Sequence, residues 1–128
     1  MKADTPEYWL QIAQEDINTA RYLLDGGRYL YAGFLMHLIA EKALKALLAK
    51  PENMPPRTHN LLRLAELAGI NDTLDESQWD LLNRLLPLQI EVRYPSDQQE
   101  IAKTLSKNNS EELFARTEAF YEWIKQRL

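Results

Sequence analysis

The segment "FLMHLIAEKALKALL", residues 34–48, is apolar around most of its circumference at the helical pitch. A helix of this kind is not suited to a protein surface, because its apolar sides would face water in several directions. It must therefore lie at the centre of a larger helical assembly. One polar line interrupts it, since His37, Glu41 and Lys45 recur at intervals of four and stack on one face.

The rest of the chain shows the same helical period. No segment has the sustained apolar–polar alternation of a strand, and no Asn-Gly hairpin turn occurs. Pro87 falls inside an otherwise helical pattern and predicts a kink or a break there. The other expected helix boundaries, marked by capping residues, glycine or proline, are Thr5-Pro6, Gly26-Gly27, Pro51, Thr58, Gly69, Asp75 or Ser77, and Asn109 or Ser110. We predict one all-α domain over residues 1–128, an antiparallel bundle of four to five helices with a four-helix up-and-down core.

Composition excludes several classes of function. The chain has no cysteine and two histidines, so a disulfide or a structural metal site is not expected. Its longest uncharged run, residues 29–40, is too short to cross a bilayer, and the N-terminus lacks the apolar core of a signal peptide. We therefore expect a cytoplasmic protein without a membrane partner. The net charge of -4 argues against a broad nucleic-acid-binding surface. The basic excess lies in residues 28–58, where five basic residues face two acidic ones, and an anion site is most plausible there.

The polar line of the central helix has two interpretations. His37, Glu41 and Lys45 can form a solvated strip, in which Glu41 and Lys45 make an ordinary exposed pair. Alternatively, the line faces a cleft or a second subunit, where the histidine can titrate and the lysine can meet a phosphate.

Two further segments are suited to phosphate. In "PPRTHNLL", Arg57, Thr58 and His59 precede a helix and could form an anion site at its N-terminus, although a packed loop histidine is the alternative. In "EVRYPSD", Arg93 can offer a planar fork to a phosphate and Tyr94 a stacking face. The alternative is that Arg93 caps a helix or pairs with a neighbouring carboxylate.

Three motifs occur in order: "AEKALKALL" at 40–48, "PPRTHNLLRL" at 55–64 and "EVRYPSD" at 91–97. With the opening segment 8–37 they resemble the HEPN family, the higher eukaryote and prokaryote nucleotide-binding domains. The resemblance spans nearly the whole chain and implies a helical bundle, often dimeric, that associates with nucleotides or RNA. It also implies a minimal nucleotidyltransferase as partner, in nucleotide transfer or in a toxin–antitoxin pair. The positions that match the family's motifs are Glu41, Lys42, Lys45, Thr58, His59, Arg93, Tyr94 and Pro95.

One feature of the family is missing. Its ribonuclease members use an arginine followed after four to six residues by a histidine, and this chain has no such pair. We therefore expect no ribonuclease activity, no catalytic residue, no metal and no cofactor.

The leading hypothesis is a homodimeric, nucleotide-binding subunit that works with a minimal nucleotidyltransferase. Two alternatives stay open: a ribonuclease toxin with atypical catalytic residues, and a dimeric interaction module without a ligand. The predicted nucleotide or anion contacts are Lys45, His59, Arg93 and Tyr94, and the predicted supporting residues are His37, Glu41, Lys42, Arg57 and Thr58.

Overall fold

The structure, a computed structural model, describes residues 5–128, so residues 1–4 of the predicted domain lie outside the described residues. Six α-helices follow one another: α1 (Pro6–Asp25), α2 (Tyr29–Leu48), α3 (Leu61–Leu67), α4 (Glu76–Leu85), α5 (Pro95–Ala102) and α6 (Lys107–Lys125). Two 3₁₀ turns, Leu86–Leu88 and Ile90–Val92, separate α4 from α5. Residues 5–128 contain no β-strand, and the predicted all-α helical bundle is confirmed.

The helices α1 and α2 form an antiparallel hairpin. Thr5 caps α1 by accepting a hydrogen bond from the Tyr8 amide, with Pro6 as first helical residue, as the sequence predicts. Gly27 follows the helix with φ of +74°, a conformation that strains any residue with a side chain. The short turn then reverses the chain, and Asp16 of α1 meets Lys42 of α2.

The central position predicted for α2 is what the structure shows. This helix packs against α1, α3, α4, α5 and α6. Its buried residues, apolar and polar together, cover most of the helix circumference, whereas a surface helix buries one stripe. The apolar ones are Ala32, Met36, Ile39, Ala40, Ala43, Leu44 and Ala46.

Pro87 breaks the fourth helical segment as predicted. The α-helix ends at Leu85, and the proline lies in the 3₁₀ turn that follows, because its ring cannot be accommodated inside a helix. The start predicted for the last helix, at Asn109 or Ser110, is wrong. Ser106 is the N-cap, and its hydroxyl accepts a hydrogen bond from the Asn109 amide at 3.2 Å.

The last helix, α6, closes the bundle against α1 and α2. Arg21 pairs with Glu111, and the hydroxyl of Tyr121 donates to the carbonyl of Leu10 at 3.2 Å. These two contacts show that α1 and α6 run antiparallel.

Candidate functional site

The polar line of α2 lies inside the protein. His37 is fully buried, and only 4% of Glu41 and 6% of Lys45 is exposed. The interpretation of a solvated strip is therefore wrong. The three side chains share one face because they are four residues apart, and that face is covered by segments distant in the sequence.

Glu41 is the hub of this buried group. Its Oε2 atom accepts a hydrogen bond from Lys45 Nζ at 3.0 Å, and Nδ1 of His59 lies 3.1 Å from both carboxylate oxygens. Nε2 of His37 lies 3.3 Å from Oε1 of Glu41. These four residues, His37, Glu41, Lys45 and His59, are called the Glu41 cluster below. The cluster joins α2 to the segment that precedes α3.

The environment keeps Glu41 ionised. Burial alone would raise the pKa of this carboxyl, because a charge is poorly solvated in the interior. The hydrogen bonds from His37, Lys45 and His59 outweigh that effect and lower the pKa of Glu41 to about 2. The group is therefore a carboxylate at any pH near neutrality, and it is an acceptor for the surrounding donors.

The hydrogen-bond partners also fix where the histidines carry their protons. Nδ1 of His37 lies 3.1 Å from the carbonyl oxygen of Leu85, and a carbonyl only accepts, so this nitrogen bears a hydrogen. Nδ1 of His59 faces a carboxylate and bears a hydrogen for the same reason. The free edge of the His59 ring is then Nε2, and 54% of this side chain is exposed.

Lys45 is held from two sides. Its ammonium lies between the Glu41 carboxylate and the ring of Trp9 on α1, 5.7 Å from the ring centroid. With so little exposed surface, Lys45 can act on a bound anion mainly through its charge. Within the cluster, His59 is the residue that reaches solvent.

Lys42 has a separate role. Its Nζ atom pairs with Asp16 of α1 at 2.6 Å, next to the cluster in sequence but with a different partner. This ion pair ties the two helices of the hairpin together.

The predicted start of the third helix is wrong. Asn60, not Thr58, caps α3, and its side-chain oxygen accepts from the amides of Leu62 and Arg63. Thr58 accepts from the Asn60 amide instead, at 3.1 Å, and Arg57 is exposed. Two backbone amides at the start of α3, where an anion site was predicted, therefore already donate hydrogen bonds to Asn60.

Arg93 and Tyr94 lie on the surface between the second 3₁₀ turn and α5, and this pair is called the Arg93–Tyr94 turn below. Tyr94 is 78% exposed. Gln98 secures the turn by donating to the carbonyl of Ile90 at 2.8 Å. Over residues 5–128, neither member of the turn has a hydrogen bond or ion pair to Glu41, Lys45 or His59.

Some features of the site were not foreseen from the sequence. The carbonyl of Leu85 and the ring of Trp9 are partners of the cluster that no local pattern marks. The cap at Asn60 could have been found, because asparagine immediately before an apolar run is a favoured N-cap. A cleft of about 590 Å³ lies between the end of α4, α5 and α6, and its lining includes no residue of the Glu41 cluster or of the Arg93–Tyr94 turn.

The described part of the chain offers no metal centre, since no three of its histidine or acidic side chains are arranged to hold an ion. None of the helices described is long and apolar enough to span a membrane.

Fold and site together define a small helical bundle whose central helix carries an internal ionic cluster. The chain belongs to the HEPN domain family, whose model matches residues 6–128. Among solved structures it is similar to ST0689, described as an archaeal HEPN homologue, with 25% identity and a TM-score of 0.64. The alignment covers 96% of this chain and 97% of that one. A comparison with curated proteins finds no match. The family predicted from the three motifs is thus confirmed, while its nucleotidyltransferase-associated type stays a prediction.

Proposed function

We propose that this chain is a nucleotide-binding helical subunit that acts with a minimal nucleotidyltransferase, with a toxin–antitoxin pair as one setting for the two proteins. The observation that carries the proposal is the Arg93–Tyr94 turn. Among the residues that the structure describes, no carboxylate lies within ion-pair distance of Arg93, although the protein is acidic overall. A free guanidinium beside an exposed aromatic ring is suited to a phosphate and a base.

The Glu41 cluster supplies the second part of the proposed site. His59 offers its exposed ring edge to a phosphate, and Lys45 adds positive charge from behind. The cluster and the Arg93–Tyr94 turn share no hydrogen bond, and a ligand with more than one phosphate would be needed for each of them to contact a phosphate of its own. A short RNA or a nucleoside triphosphate meets this description.

Titration calorimetry with ATP and with a short RNA tests the binding. Arg93→Ala should weaken binding by about 1–3 kcal/mol, the value of a hydrogen bond to a charged group, and should leave thermal stability unchanged because the side chain is exposed. Lys125→Ala is the control, since it removes one positive charge from an exposed side chain in the last turn of α6 that is not among the proposed contacts. An equal loss in both variants would indicate unspecific attraction, and no heat with any ligand would favour the interaction module.

The partner is tested separately. Co-expression with a minimal nucleotidyltransferase from the same genome should give a complex that stays together in size-exclusion chromatography. If the two proteins elute separately at micromolar concentration, the proposed partner is refuted. Nucleotide binding is not affected by that result, because calorimetry tests it separately.

A ribonuclease is the second candidate, and one observation favours it. A buried carboxylate that orients a half-exposed imidazole, as Glu41 orients His59, is an arrangement used in acid–base catalysis. The arginine–histidine spacing of the family's ribonucleases is nevertheless absent, and we expect no RNA cleavage above background. Cleavage that disappears in His59→Ala would establish the ribonuclease instead.

A further inference from the structure

The geometry around His59 restricts how this residue can meet an anion. Nδ1 is directed at Glu41 and lies 3.1 Å from each carboxylate oxygen. The hydrogen on Nδ1 therefore points to the buried carboxylate, and a ligand from solvent can contact only the other atoms of the half-exposed ring. Of the two ring nitrogens, only Nε2 is available to such a ligand.

The charge state of the ring then decides what Nε2 can do. In the neutral ring Nε2 carries a lone pair, which repels the oxygen of a phosphate. In the protonated ring the same nitrogen carries a hydrogen and a share of positive charge, so that it becomes a charge-assisted donor. Glu41 accepts from Nδ1 in both cases, so the second proton can only go to Nε2.

We propose that His59 is a proton-dependent phosphate contact, so that binding of a phosphate group at this edge of the Glu41 cluster takes up one proton on Nε2. The inference rests on the proposed function, which it deepens by stating what controls the site. Ligands with a phosphodiester or phosphate group would then be bound more tightly at lower pH.

The neighbouring charges are consistent with this assignment. The charged group that faces His59 is Glu41, and behind it stand Lys45 and His37, all on α2. From α1 the cluster is bordered by the Trp9 ring, which does not titrate. Glu41 remains ionised, since its pKa is about 2, and balances Lys45. A proton on His59 therefore adds one further positive charge at the exposed edge of the cluster.

The test measures proton uptake directly. A short oligouridylate without terminal phosphates is titrated into the full chain between about pH 5 and pH 8, because neither its diesters nor its bases change charge in that range. Calorimetry in two buffers of different ionisation enthalpy gives the number of protons taken up. We expect up to one proton per site, and a loss of affinity of up to about tenfold per pH unit as the pH rises.

His59→Asn is the decisive variant. Its amide can still donate to Glu41 but has no second nitrogen to protonate, so proton uptake should vanish and the affinity should become nearly independent of pH. Uptake that persists in His59→Asn would assign the proton to another group, such as the second histidine of the chain, His37, and would overturn the inference. His59→Gln serves if the asparagine variant does not fold, which circular dichroism will reveal.

The outcomes separate this inference from the proposed function. No binding of the oligouridylate or of ATP at any pH would overturn both. Binding without proton uptake in the wild type would leave nucleotide binding intact and refute the role of His59.

Discussion

At the scale of single residues, Glu41 makes a buried ionic group tolerable. Removing a carboxylate and an ammonium from water costs several kcal/mol for each ion, and their attraction repays this only if further hydrogen bonds satisfy both. Glu41 has Lys45 and His59 as donors, and Lys45 also has the Trp9 ring. Removal of one member of the cluster should therefore destabilise the fold more than replacement of the whole cluster by apolar side chains.

Glu41→Gln should destabilise the fold by about 3 kcal/mol, because it leaves the buried ammonium of Lys45 without a counter-charge. Urea unfolding at neutral pH measures the change. Glu100→Gln is the control: this carboxylate forms a similar pair with Lys103, at 3.0 Å, but on the surface, and its loss should cost less than about 1 kcal/mol. Similar effects in the two variants would mean that the cluster is not buried in solution.

The contribution of Glu41 should also depend on pH. Its pKa falls from an ordinary value of 4.5 to about 2 in the folded protein, so the ionised carboxylate stabilises the fold. This contribution is complete above about pH 4.5 and fades as the pH falls toward 2, where the folded protein must also bind the proton. Urea unfolding of wild type and Glu41→Gln at a series of acid pH values should therefore show that the difference in their free energies of unfolding becomes smaller as the pH falls. A difference that stays constant down to the lowest pH would contradict the lowered pKa.

The sequence predicts which residues of the site share a face but not how deeply they lie. The spacing of His37, Glu41 and Lys45 puts them on one line of the helix whether that line faces solvent or protein. Burial is decided by His59 and by the carbonyl of Leu85, which are 18 and 48 residues away from their partners along the chain. Contacts between such distant segments leave no local pattern.

At the scale of helices, local capping chemistry explains which boundaries could be predicted. Thr5, the one cap predicted for α1, and Asp75, one of two predicted for α4, are both N-caps in the structure. Where several polar residues precede the apolar part of a helix, the sequence does not identify the N-cap. Ser106 caps α6, although Asn109 and Ser110 come closer to the apolar residues of this helix. All of these side chains could cap a helix, so packing of the helix against its neighbours must select among them.

Asp75→Ala should cost about 1 kcal/mol of stability, because Asp75 and Gln78 form a reciprocal capping box at the start of α4. Asp72→Ala is the matched control, since it removes the same charge from the exposed turn just before the helix. Thermal unfolding of the two variants should show a lower midpoint for Asp75→Ala only. Equal thermal midpoints in the two variants would mean that Asp75 stabilises α4 through its charge and not through the cap.

At the scale of the whole molecule, the bundle covers its centre but not all of its apolar surface. The α2 helix is surrounded by neighbours, and Arg21 links α1 to α6 while its guanidinium lies over the Phe114 ring. Several places in the described part of the chain nevertheless carry exposed apolar side chains. Tyr31 is exposed at the start of α2, and Val92 and Tyr94 are exposed before α5. Tyr31 belongs to the surplus apolar surface at the start of α2 from which a dimer is predicted.

We predict that the chain is a homodimer at tens of micromolar, because two-fold association is the commonest way for a small protein to cover exposed apolar side chains. Light scattering should give twice the mass of the 14.9 kDa chain. Tyr31→Glu should shift the protein toward monomer, since it would place a charge from each subunit in the covered surface. Tyr22→Glu, the same change at an exposed tyrosine of α1, is the control and should remain dimeric. Dissociation by Tyr22→Glu alone would move the interface to α1, and a monomeric wild type would remove the dimer altogether.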